Sequence, residues 1–67
     1  MINSLSLSKS IYYKKAIIKA VLDYKHLCKI KIIETDNYFI CNFSNCKYDI
    51  KKTMLEFENY IIDIMNT

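Results

Sequence analysis

The chain has 67 residues, ten lysines against seven acids, a net charge of +3, and neither glycine nor proline. That length allows one domain, 1–67, which buries only about 60% of its unfolded surface and gains from crosslinks, metal or association. A hydrophobic content of 52% with 25% charged residues excludes a disordered chain, and without glycine no phosphate-cradling loop can form.

Twelve isoleucines, six tyrosines and ten lysines without one arginine suggest AT-rich coding, as in a low-GC bacterium or its phage. The longest apolar runs are a few residues, far short of the roughly 20 needed to span a bilayer. Met1-Ile2-Asn3-Ser4 has no charged segment leading into an apolar one, so no signal peptide is expected. An odd number of cysteines fits a reducing compartment better than a disulfide framework. The expected location is cytoplasmic.

The first element is a strand over about residues 3–11. Leu5, Leu7 and Ile11 alternate with Ser4, Ser6, Ser8 and Ser10, the period of a half-buried strand. From Tyr13 the period changes without an intervening glycine or proline. Tyr13, Ala16, Ile17, Ala20, Val21 and Tyr24 have helical spacing, which predicts a helix over 13–25 with Lys25-His26 in its last turn, where positive charge suits the macrodipole.

Strands are predicted at 28–34 and 39–44. Asp36-Asn37 is the best available pair for a two-residue hairpin loop, because both residues tolerate positive φ. That loop sets 34 opposite 39, 32 opposite 41 and 30 opposite 43. One face then carries Cys28, Ile30, Ile32, Phe39, Cys41 and Phe43. The other carries Lys29, Lys31, Ile33, Tyr38, Ile40 and Asn42. A one-residue slip would exchange the faces. Asp49 is placed to cap a last helix over 50–65, with Ile50, Met54, Phe57, Ile61 and Ile64 as its apolar stripe and Leu55, Ile62 and Met65 widening it.

The order β-α-β-β-α predicts an α+β fold: a three-stranded sheet of order 1-3-2 with both helices packed on one face and a right-handed crossover. The other face and two strand edges stay open. Ile33 and Ile40 are cross-strand neighbours on that open face, and Ile18, Leu22, Leu55 and Ile62 fall off the main helical stripes. This is more apolar surface than the core uses, which reads either as ordinary scattered surface hydrophobics or as a partner or self-association surface.

No constellation supports catalysis. His26 is the only histidine, the carboxylates are scattered, and no nucleophile–base set is visible. The chain is therefore read as not an enzyme, with no cofactor. His26, Cys28 and Cys46 converge at the open end of the hairpin, yet they are one ligand short of a closed zinc site, and Cys28 and Cys41 read as small buried hydrophobes. No metal site is assigned. A nucleic-acid platform would use Lys29, Lys31 and Tyr38, but one outward aromatic and the absence of arginine argue against it. Peptide addition to a free strand edge needs less, and the strand at 28–34 or the serine-rich first strand would serve.

Two segments resemble a known family. Ser8-Lys9-Ser10-Ile11-Tyr12-Tyr13-Lys14-Lys15-Ala16-Ile17-Ile18-Lys19-Ala20 is similar to the opening of the His-Xaa-Ser system protein HxsD family, where a strand runs into a Tyr-Ser-x-x-Ala-Ile-x-x-Ala helix. Glu56-Phe57-Glu58-Asn59-Tyr60-Ile61-Ile62-Asp63 resembles that family's closing Glu-Phe-x-Asn-x-x-Leu-Asp helix. Tyr13 departs from the pattern, standing where a capping serine is usual. The resemblance implies a small non-catalytic accessory protein of a radical SAM peptide-maturation (RiPP-like) system, holding a precursor peptide or docking a maturase that carries the iron–sulfur chemistry itself. Its expected binding surface is Lys29, Lys31, Ile33, Tyr38 and Ile40. The alternative is a small phage- or host-encoded inhibitor or regulator acting by protein–protein binding. A homodimer that buries the same face is a third arrangement.

Overall fold

The computed structural model describes residues 3–67. Met1 and Ile2, on which the expectation of no signal peptide partly rests, lie outside the described residues. The chain forms β1 (Asn3–Ser8), α1 (Lys14–Tyr24), β2 (Lys29–Glu34), β3 (Tyr38–Ser44) and α2 (Ile50–Met65). The sheet order is β1-β3-β2, and β3 is antiparallel to both neighbours. This is the α+β arrangement predicted from the periodicities.

The hairpin register is the predicted one: Glu34 faces Phe39, Ile32 faces Cys41 and Ile30 faces Phe43. Asp36 and Asn37 form the loop. Thr35 clamps it, since its N–H donates to the Tyr38 carbonyl at 2.8 Å and its Oγ1 accepts the Tyr38 N–H at 3.0 Å. The side chain thus substitutes for one of the two ladder bonds that close a hairpin.

β1 is shorter than predicted and ends at Ser8. The N–H groups of Ile11 and Tyr12 both donate to the Ser8 carbonyl, and the Ser10 N–H donates to Ser8 Oγ. The serine run that reads as alternation therefore supplies its own turn. Ile11 leaves the strand and is 61% exposed. α1 then starts at Lys14, with Tyr13 in extended conformation at the N-cap and no side-chain cap. Tyr13 is exposed rather than part of the apolar stripe, and Lys25-His26 lie just beyond the last helical turn.

α2 starts as predicted. Asp49 Oδ1 accepts the backbone N–H of Lys51 at 2.9 Å and of Lys52 at 3.5 Å. Thr53 is buried and donates its hydroxyl to the Asp49 carbonyl at 2.9 Å, which satisfies it within the first turn. Leu55 and Ile62 do not widen the buried stripe; with Ile18 and Leu22 they are exposed, as their positions off the main helical stripes predict.

One cluster of buried side chains joins the layers. Leu7, Phe39, Cys41 and Phe43 rise from the sheet to meet Ala16, Ile17 and Ala20 of α1 and Phe57 and Ile61 of α2. The two alanines leave room for α1 to sit close to its neighbours. Phe57 is the keystone, packed edge-on against Phe43 at 5.2 Å and Tyr24 at 5.4 Å between ring centroids. The shortest dimension of the molecule, 16 Å, is that of one helix layer on one sheet.

Candidate functional site

The sheet face turned away from the helices carries Ser4 and Ser6 from β1, Tyr38, Ile40 and Asn42 from β3, and Lys29, Lys31 and Ile33 from β2. Ile33 and Ile40 are direct cross-strand partners, as predicted. Ile33 is 43% and Tyr38 47% exposed, both lysines are exposed, and Ile40 on the central strand is half-buried by its neighbours. All five residues picked out by the hairpin register, Lys29, Lys31, Ile33, Tyr38 and Ile40, therefore share one face. That face is a flat strip with apolar side chains at the hairpin end and two cations at the other.

Both outer strands also present backbone groups. The Thr35–Tyr38 bond makes odd-numbered β2 residues the hydrogen-bonded partners of β3. Alternation in an antiparallel ladder then directs the N–H and C=O of Ile30, Ile32 and Glu34 to the free edge. The Lys9 N–H donates to the Asn37 carbonyl at 2.9 Å, so on β1 the outward groups belong to Ser4 and Ser6. The lysines of β2 are the ordinary means of keeping such an edge from pairing indiscriminately.

At the open end of the hairpin Cys28 and Cys46 come together, as expected, but as a crosslink. Asn45 has φ 51°, in the left-handed region that asparagine tolerates. Beyond it the ladder runs one residue out of step, with the Lys47 N–H donating to the Leu27 carbonyl at 2.8 Å. In unbroken register Cys46 would face Leu27 and point away from Cys28. The bulge at Asn45 turns Cys46 toward Cys28, and the two form a disulfide across 18 residues. A disulfide framework was not expected from an odd number of cysteines, yet one crosslink forms; Cys41 stays free, and its complete burial pushes its thiol up to about 11. His26 is exposed in the α1–β2 turn. Among the described residues no three histidine, cysteine or acidic side chains are grouped to hold a metal.

A second concave region lies on the helix side and was not picked out from the sequence. A groove of about 800 Å³ opens between the β1–α1 connection, the first turns of α1, the hairpin end of the sheet and the last turn of α2. Tyr12, Ala16, Phe39, Ile64 and Met65 give it an apolar floor, and Lys9, Lys14, Lys15 and Lys19 surround it. Glu34 is the only acid lining it. It accepts from Lys9 at 2.7 Å and Lys14 at 3.0 Å, and these two ammonium groups hold its carboxyl below the usual range. Lys9 also lies 5.2 Å from the Phe39 ring centre. Lys19 pairs with Asp23 at 2.9 Å, and Asp23 in turn accepts the Tyr60 hydroxyl, so the Asp23 carboxyl is held low chiefly by that hydroxyl and then by Lys19. The sequence signal was available in the spacing of Lys9, Lys14, Lys15 and Lys19. Nothing in one dimension shows that α2 ends beside them.

Compared with family models, curated proteins and solved structures, the chain finds no match. No helix among the described residues is long and apolar enough to cross a membrane.

Proposed function

We propose that the protein is a non-catalytic binding component of a radical SAM peptide-maturation system, holding a precursor peptide or docking the maturase. The observation that carries this reading is the uncovered sheet face, where Ile33, Tyr38 and Ile40 sit beside Lys29 and Lys31 between two strand edges with outward-facing backbone groups. An extended peptide adds to such an edge by main-chain bonds, and neighbouring side chains select it. The resemblance of residues 8–20 and 56–63 to the HxsD family supplies the kind of system. Cytoplasmic residence belongs to the same reading.

The test looks for a radical SAM enzyme and a precursor peptide encoded beside this chain and titrates the protein with whichever is found. Titration with each should give saturable binding to at least one. Ile33→Glu with Ile40→Lys should abolish it while the circular dichroism spectrum is kept. Opposite charges are chosen because the two positions face one another and like charges there would destabilise the sheet. A gene neighbourhood with no radical SAM enzyme and no precursor, or binding untouched by the double substitution, overturns the proposal.

A further inference from the structure

The groove on the helix side carries an inference that goes beyond the sheet-face reading and does not rest on it. Four lysines and one glutamate line it, a net of +3. Asp23 pairs with Lys19 from just outside the lining, so the groove's lysines exceed the acids that pair with them by two. Lys15 has no ion pair among the described residues, and Lys9 and Lys14 share a single carboxylate.

We propose that this groove binds an acidic peptide segment carrying an apolar side chain, with Met65, Ile64 and Phe39 receiving the apolar group and Lys14 and Lys15 facing the carboxylates. The apolar floor supplies contact area, and the lysines supply attraction that is strong at low salt and screened at high salt. A peptide fits better than a small molecule for two reasons. The groove is open to solvent, so a compact ligand would leave much of its surface wet, whereas tight small-molecule sites bury most of theirs. Its charged groups are flexible ammonium ends, partly or largely exposed, and among the described residues no unpartnered buried side chain is fixed there to orient one rigid ligand. Lysine acts as a point charge without directional demand, which suits a run of carboxylates.

The experiment is fluorescence anisotropy with three labelled synthetic peptides of about eight residues. One has alternating glutamates around a leucine and a phenylalanine. The second replaces the glutamates with glutamine, and the third replaces the apolar pair with serine. The first should bind saturably and at least tenfold more tightly than either control, with several-fold weakening from 50 to 200 mM salt. Lys14→Glu with Lys15→Glu should weaken it at least tenfold, and Lys15→Glu alone should weaken it by less. Both variants are checked for native circular dichroism, and the single change breaks no ion pair. Ile33→Glu with Ile40→Lys should leave it unchanged, which separates failure of this groove from failure of the sheet face. Absence of binding, equal binding of all three peptides, or indifference to charge reversal overturns the proposal. So does binding of decanoate with the acidic peptide inert, which would make the groove a site for a small amphiphile.

Discussion

The two faces of the sheet are built from the same three strands yet have opposite fates. On the covered face, Leu7, Phe39, Cys41 and Phe43 are nearly or completely dry. On the uncovered face, one residue away along each strand, lie serines, lysines and a pair of isoleucines. Both faces follow from one register, so a single-residue shift would exchange core and surface. The covered face carries stability, and the uncovered face is free to serve a partner without unfolding the protein. Apolar side chains on the two faces should therefore behave very differently when replaced.

The largest effect should come from Phe57→Ala, which removes the ring that α2 places between Phe43 and Tyr24. Such a deletion costs about 3–5 kcal/mol. That is about half or more of the roughly 7 kcal/mol expected of a chain this size at roughly 0.1 kcal/mol per residue. Urea denaturation should find the variant folded in water with its midpoint lowered to about half or less of the parent's.

Next comes the Cys28–Cys46 crosslink. Closing a loop of this length restricts the unfolded chain by about 3 kcal/mol on the loop-entropy account. Reduction should lower the urea midpoint accordingly, and Cys46→Ser, the less buried partner, should reproduce the reduced value. Cys41 should stay silent toward a thiol reagent in the native protein, because it is fully buried and its thiol is pushed up to about 11, and should react once the chain unfolds.

The hairpin register and the fold order were legible because inward and outward residues alternate without a fault from Lys29 to Ser44, and because Asp36-Asn37 left one good choice of loop. The start of α2 was legible from Asp49. Other features depend on the third dimension. Ser8 ends its own strand through hydrogen bonds, which the alternation of Leu5, Leu7 and Ile11 conceals. The approach of Cys28 and Cys46 was legible from the hairpin, but their bonding depends on Asn45, which reverses the facing of Cys46 through one positive φ. The sheet-face residues share a face because of period two, which any reader of the strands can count. The groove needs the end of α2 beside the start of α1, and neither segment announces the other.

A smaller effect concerns the hairpin end of the covered face. Glu34, exposed between Lys9 and Lys14, has its carboxyl held below the ordinary value, so the folded state binds its proton less readily than the unfolded chain does. Its contribution is complete above the unfolded carboxylate pKa of about 4.3 and fades as the pH falls through the folded value. Thermal midpoints of the parent and of Glu34→Gln should accordingly differ at neutral pH and converge on acidification. Salt should narrow the gap, because the pair is exposed and screened.

The most direct measurement of the difference between the faces is the urea midpoint of Ile33→Glu with Ile40→Lys, read at two protein concentrations tenfold apart. If the face is uncovered and free, the double substitution costs about 1–2 kcal/mol, the strand-propensity loss at one exposed and one half-buried site, and the midpoint is independent of concentration. A loss of several kcal/mol, or a parent midpoint that rises with concentration while the variant's does not, would mean that this face is part of a buried core or a self-association surface, and would contradict the account.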